Sequence, residues 1–196
     1  MTLTAVLFAG GEARRLGADK ATLLWEGEPL WSRQLRTLRE LAPEKILISA
    51  RTKPAWCPPE IETVLDEPPA RGPLSGIVAA LKKMETTHLL ALAVDLPLMT
   101  AGHLKKLLSM AQPGRGVVPA KENLHEPLCA IYPKESERLI CNYLAGGGAS
   151  LQPLIDRLAG ENLVTLLPVS KNSGAVYDNL NTPQDFARIF SSKNST

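Results

Sequence analysis

The chain predicts an α/β fold, a three-layer sandwich in which helices cover both faces of a mostly parallel, mixed sheet. Three observations carry that expectation. Strand-length apolar runs alternate with helical patterns along most of the chain, the arrangement that yields parallel sheets. Leu89 to Val94 is apolar almost throughout, as a strand buried on both faces must be. A glycine-rich loop, Asp66 and Asp95 each follow the carboxyl end of a predicted strand, where ligands bind in such sheets.

The elements follow in order. Leu3 to Phe8 is an apolar run of strand length. Leu30 to Leu41 places Leu30, Trp31, Leu35, Leu38 and Leu41 at helical spacing, and Pro43 stops it. Lys45 to Ala50 and Ile61 to Leu65 are strands, the second ending at Asp66. Leu74 to Met84 is a helix after the Gly72-Pro73 turn. The strand Leu89 to Val94 leads into Asp95, and Ala101 to Met110 is a helix with Thr100 as its N-cap. Gly116 to Pro119 and Pro127 to Tyr132 are short strands. Ser136 to Leu144 and Leu151 to Leu158 are helices, separated by Gly146-Gly147-Gly148 and with Ser150 placed to cap the second. Leu163 to Val169 is a late strand, and Thr182 to Phe190 a last helix with Pro183 at its first position.

A chain of 196 residues suits one domain, expected over residues 1–190, with 191–196 a frayed tail. Basic and acidic residues number 22 and 20, a net charge of +2. That is no polyelectrolyte, so neither nucleic acid nor an acidic membrane is an expected partner. No apolar run approaches the roughly 18 residues of a membrane span, and the N-terminus has no signal-peptide pattern. Cys57, Cys129 and Cys141 lack metal-ligand spacing. Cys129 reads as a core residue and the other two as free thiols, which fits a cytoplasmic protein. His88, His103 and His125 are scattered and read as structural.

The segment Phe8-Ala9-Gly10-Gly11-Glu12-Ala13-Arg14-Arg15-Leu16-Gly17-Ala18-Asp19-Lys20 is the strongest functional signal. Adjacent glycines let a bulky ligand approach the backbone. Exposed amides together with Arg14, Arg15 and Lys20 make a cradle for a polyphosphate. The spacing matches neither a Walker A loop nor the G-x-G-x-x-G fingerprint. Asp95 has two readings. It suits a magnesium site, since magnesium takes one or two protein carboxylates plus phosphates and water; it also suits a turn, being two residues before Pro97.

The pattern apolar-Ala-Gly-Gly-x-x-x-Arg-x-Gly-x-x-Lys resembles the signature loop of the molybdenum cofactor guanylyltransferases. These are small nucleotidyltransferases of the nucleotide-diphospho-sugar transferase fold, a Rossmann-like arrangement. Val64-Leu65-Asp66, Gly72-Pro73-Leu74-Ser75-Gly76, Val94-Asp95-Leu96-Pro97 and Asn179-Leu180-Asn181-Thr182-Pro183 agree in order and spacing. Glu126-Pro127-Leu128-Cys129-Ala130-Ile131-Tyr132 is a weaker match. The likeness runs from Leu3 to about Phe190.

The resemblance implies a nucleotide site made of Phe8, Ala9, Gly10, Gly11, Lys20, Ser49, Asp66, Gly76 and Asp95. Lys20, Arg15 and Asp95 carry the chemistry in it, with Asp95 holding Mg²⁺ and Asp66 near the base and ribose. Asn179 and Asn181 fall on the pterin side; Asn181 reads equally as the cap of the last helix. Asp19 either orients Lys20 or begins the next turn. Two positions depart from the pattern: Ala13 stands where serine is common, and Ser49 where asparagine is.

The implied reaction is transfer of GMP from GTP to the phosphate of molybdopterin (Mo-molybdopterin), with release of pyrophosphate. Molybdopterin-handling proteins and recipient molybdoenzymes are the implied protein partners. Three other readings stand beside it: a cytidylyltransferase using CTP on the same pterin, a sugar-1-phosphate nucleotidylyltransferase, and a non-catalytic chaperone of pterin or nucleotide. Phe8-Ala9-Gly10-Gly11 resembles the guanylyl branch, where the cytidylyl branch tends to Ala-Ala-Gly. Ala13 in place of a third glycine speaks against the sugar enzymes.

Overall fold

Among the described residues, eight strands make the central sheet. β1 (Leu3–Phe8), β2 (Lys45–Ala50), β3 (Glu62–Leu65) and β4 (His88–Ala93) form its parallel half, in the order β4-β1-β2-β3. β7 (Cys129–Pro133) runs antiparallel to β4 and pairs with β5 (Gly116–Lys121). β5 also pairs antiparallel with β6 (Leu124–His125) and parallel with β8 (Val164–Pro168). The computed structural model describes residues 1–10, 12–13, 18–66, 72–121, 124–182, 184, 185, 187 and 189.

β1 shows why the sheet needs cover on both sides: every residue in it is buried. Alternate side chains serve different layers. Ala5 and Leu7 pack with α1 (Leu30–Arg39) and α3 (Ala101–Leu108). Val6 and Phe8 pack on the other face with α2 (Pro73–Lys83), α4 (Glu137–Ala145) and α5 (Leu151–Gly160). The three layers and the mixed sheet therefore agree with the expectation from periodicity. Element ends differ by a residue or two, as fraying ends do.

Some features lay outside the pattern. Leu24–Trp25 and Glu28–Pro29 form a two-residue hairpin. Its turn residues Glu26 and Gly27 both have positive φ, 52° and 81°, the requirement of a tight hairpin turn. Glu12–Ala13 and Ala18–Asp19 pair as a second short ribbon. Two-residue strands carry no readable period. β7 starts at Cys129 rather than Pro127, because Pro127 and Leu128 lie in a turn. α1 ends at Arg39, before Pro43, where Ala42 takes φ 49°.

Thr100 caps α3 by accepting from His103 N at 3.2 Å. Ser150 occupies the N-cap of α5 without a side-chain bond; its carbonyl instead takes the Tyr143 hydroxyl at 3.0 Å. Cys129 is buried in the core, and so is Cys57; none of the three cysteines is in a disulfide. The histidines serve separate places, on Gln112 O, Tyr177 and Asp156. Among the described residues no helix is long and apolar enough to cross a membrane. Residues 184, 185, 187 and 189 are helical, as expected of the last element. Pro183, Phe190 and the tail 191–196 lie outside the described residues.

Candidate active site

Because β1 to β4 are parallel, everything just past Phe8, Ala50, Leu65 and Ala93 lies on one edge of the sheet. Asp66 and Asp95 are therefore not neighbours. With strands about 4.8 Å apart, the step from β3 to β4 across two intervening strands is about 14 Å. That span separates a β3 side from a β4 side, with the first loop between them.

The turn after β4 is held from several directions. Val94 N donates to Phe8 O at 3.1 Å. Gln34 Nε2 donates to Leu96 O at 2.6 Å, and Arg33 Nε to Pro97 O at 2.8 Å. Leu180 N reaches Asp95 O at 2.8 Å, bringing the late segment over the turn. Asp95 thus sits on a braced backbone. Gln34 was not expected here; the readable signal was an amide on the buried face of α1, among Leu30, Leu35 and Leu38.

Lys20 opens a short 3₁₀ turn, Lys20–Thr22. Asp19 caps that turn, accepting from Ala21 N at 3.0 Å, so it begins the turn and does not grip Lys20. Its other oxygen takes the Trp56 indole N–H at 3.0 Å, and Trp56 stacks on Trp31 of α1 at 5.2 Å. The Lys20 ammonium then meets Asp95 Oδ2 at 2.8 Å and donates to Asn181 Oδ1. Both charged side chains are largely buried, 13% and 17% exposed. Two charges removed from water this far hold only when paired.

Asn181 is free to do this because it is not the helix cap. Thr182 and Asp185 form that cap reciprocally: Thr182 N donates to Asp185 Oδ2 at 2.8 Å, and Asp185 N to Thr182 Oγ1 at 3.1 Å. This is the capping-box arrangement, and it replaces the capping reading of Asn181.

The remaining nucleotide candidates divide by environment. Gly10 is exposed, and a Cβ there would meet nothing within 4 Å. Nothing in the described protein demands that glycine. Gly76 is the opposite: its missing Cβ leaves room for Ser49 and Phe8, whose side chains press against it. Ser49 and Phe8 are 3% and 5% exposed. Ser49 O accepts Ala9 N at 3.0 Å. Any contact from Phe8, Ala9 or Ser49 to a ligand would therefore run through backbone. Gly72, with φ 62°, makes the turn into α2. The carboxyl of Asp66 is held above its ordinary range by burial, with Arg51 opposing. Gly11, Arg14, Arg15 and Gly17 lie outside the described residues.

On the β4 side a cleft of about 280 Å³ opens beside Asp95. Leu96, Pro127, Leu128 and Leu151 give it apolar walls; Asp95, Glu126, Asn179 and Asn181 give it polar ones. The Glu126 carboxyl is pushed upward, first by burial and then by Asp178 and Asp95, against the pull of Lys121. Among the described residues no group of three or more His, Cys, Asp or Glu is arranged to hold a metal. A divalent cation would take a single hard carboxylate oxygen donor here, Asp95, and complete its shell with phosphate oxygens and water. That is the mode magnesium favours, so the donor set fits.

Residues 5–161 match the model of a family described as MobA-like NTP transferase domain. The chain is 33% identical to a probable molybdenum cofactor guanylyltransferase of Opitutus terrae, over 93% of this chain and 92% of that protein. Among solved structures, molybdopterin-guanine dinucleotide biosynthesis protein A from Archaeoglobus fulgidus superposes with a TM-score of 0.73 at 20% identity, covering 98% of this chain and 100% of that one. The 2-C-methyl-D-erythritol 4-phosphate cytidylyltransferase of Thermus thermophilus gives 0.70 at 17% identity, covering 99% and 100%. At these identities the two structures speak to the fold.

Proposed function

The chain belongs to the MobA-like NTP transferase family and, within it, to the molybdenum cofactor guanylyltransferases, and from that premise we propose that it moves GMP from GTP onto the phosphate of molybdopterin, releasing pyrophosphate. The observation that carries the reading is the Lys20 ammonium held at 2.8 Å from Asp95 on the carboxyl edge of the sheet, beside an open cleft.

A phosphate oxygen of the acceptor attacks the α-phosphorus of GTP. The new P–O bond forms as the bond to the β-phosphate oxygen breaks, and pyrophosphate departs. The nucleophile is already an anion, so no strong general base is required. The barrier is charge: two anions must meet. Lys20, with Arg15 and the amides of Gly10 and Gly11, neutralises the triphosphate and the charge that grows on the leaving group. Asp95 would hold Mg²⁺, which would supply Lewis acidity to offset the phosphate charge. Asn181 keeps Lys20 at the junction of the two halves. Asp66 serves the base and ribose on the β3 side, with Gly76 and Ser49 seating α2 beneath it. Asn179 serves the acceptor on the β4 side. Holding both substrates across one edge supplies the rest through positioning. Residues 1–190 act as one nucleotidyltransferase domain.

The test is pyrophosphate release with GTP, Mg²⁺ and molybdopterin. One equivalent per equivalent of acceptor consumed is expected; tight binding of both substrates without release would make the protein a chaperone.

A further inference from the structure

Glu126 is anchored everywhere except at its charge. Its backbone N donates to Pro119 O at 2.8 Å, and its carbonyl accepts Cys129 N at 3.1 Å. The residue before it is clamped by Gln152, which accepts from His125 N at 2.8 Å and donates to His125 O at 2.9 Å. The residue after it is braced by the Tyr132 hydroxyl, donated to Pro127 O at 2.7 Å. Yet among the described residues the Glu126 carboxylate makes no hydrogen bond or ion pair, although it is half-buried and lines the cleft beside Asp95. Its backbone is fixed at the mouth of the cleft, and its carboxylate is left over for a donor that arrives with a ligand.

The cleft says what kind of donor. Leu96, Pro127, Leu128 and Leu151 supply apolar surface for a flat ring, and the single unpaired carboxylate supplies two acceptor oxygens. Two parallel acceptors match two adjacent N–H donors, the geometry of bidentate pairing. A 2-amino-4-oxopyrimidine edge presents such a pair, its amino group beside a ring N–H. Guanine and pterin both carry that edge. Glu126 lies just before β7, on the opposite side of β4 from β1, β2 and β3, and so on the far side of Asp95 from the phosphate loop and Asp66.

We propose that Glu126 is the specificity residue for the acceptor, reading the amino-pyrimidinone edge of its pterin ring through a bidentate hydrogen bond. The inference rests on the guanylyltransferase reading and adds a residue to it. Leu128 and Leu151 wall the ring, and Asn179 and Asn181 lie between it and the reacting phosphate.

The experiment compares wild type with Glu126→Gln, which keeps shape but exchanges one acceptor oxygen for a donor, and Glu126→Asp, which keeps the charge on a shorter arm. Thermal melting first establishes that each variant is folded. Two ligands are titrated by fluorescence: 6-hydroxymethylpterin, and its lumazine analogue with oxygen in place of the amino group. Wild type is expected to prefer the pterin at least tenfold, Glu126→Asp to keep part of that preference, and Glu126→Gln to lose it. In turnover, Glu126→Gln should raise the KM for molybdopterin by about 10- to 100-fold, the range for a hydrogen bond to a charged group, with GTP affinity unchanged. Undiminished pterin preference in Glu126→Gln, with normal wild-type turnover, overturns the assignment alone. A loss of GTP affinity in its place would show that the carboxylate reads guanine, and would overturn the acceptor assignment. No transfer by wild type overturns the reading beneath it, while the binding titration still decides the role of Glu126.

Discussion

Replacing Gly76 by alanine is expected to destabilise the protein, although the same change in an open helix would stabilise it. The new Cβ would lie 2.1 Å from Ser49 Oγ and 2.8 Å from Phe8 Cε1. The serine hydroxyl can rotate, but its own Cβ would still stand at 3.2 Å. The Phe8 ring is packed in the core with Leu74 and Ile77 and has little room to retreat. Overpacking of this kind costs about 1–3 kcal/mol. Helix propensity returns about 1 kcal/mol on going from glycine to alanine. The balance is a net loss of up to about 2 kcal/mol, or a fall in Tm of up to about 4–8 °C for a chain of this length. Calorimetry measures it. Ser49→Ala combined with Gly76→Ala removes the nearest clash but not the contact with Phe8, so it should recover part of the loss. A coupling energy of about 0.5–3 kcal/mol is typical of residues in contact. A higher Tm for Gly76→Ala than for wild type would refute the packing account, and with it the conclusion that this glycine is needed by the protein before any nucleotide arrives.

Asp95→Asn should keep the fold and lower the single-turnover rate at saturating magnesium by roughly 10²–10³, about 3–4 kcal/mol, the cost of losing one electrostatic stabiliser. A rate within threefold of wild type would remove Asp95 from the chemistry. Lys20→Ala should lower kcat as well as raise the KM for GTP; a change in KM alone would mean that the lysine binds ground state and transition state equally. Asn179→Ala should raise the requirement for molybdopterin and leave GTP affinity nearly unchanged, because its side chain lines the cleft on the β4 side. Calorimetry showing lost GTP binding with acceptor binding intact would exchange the roles of the two halves.

The parts of this molecule that were legible in the sequence are those governed by local periodicity. β1 and β2 have the limits that their apolar runs indicate, Leu3–Phe8 and Lys45–Ala50, and the shared edge follows from parallel pairing. Thr100 and the turn at Gly72 were readable because capping and positive φ leave residue-specific marks. What was hidden depends on long-range contact. Nothing local predicts that Asn181 reaches Lys20 across 161 positions, or that Gln34 holds the turn after Asp95. Trp56 is similar: its indole steadies Asp19 from a loop 37 residues away. Gly76 shows a subtler limit. A glycine near a ligand loop suggests space for the ligand, yet here the space belongs to Ser49 and Phe8. Glu126 stood in a segment whose likeness to the family was noticed, but only the backbone clamps around it reveal that its charge is left over.

On the proposed reading, the site on the β3 side of Asp95 takes GTP and passes its GMP to a pterin phosphate. The most direct measurement offers GTP, CTP, ATP and UTP together, at equal concentration with Mg²⁺ and molybdopterin, and weighs the product by mass spectrometry. A site that hydrogen-bonds one base leaves polar groups unpaired with another, which supports discrimination of up to about 10⁴. The expected result is the guanine dinucleotide as the dominant product, with one pyrophosphate released for each. A cytosine dinucleotide in equal or greater amount would contradict the guanylyl assignment, and no dinucleotide of any base would contradict the account as a whole.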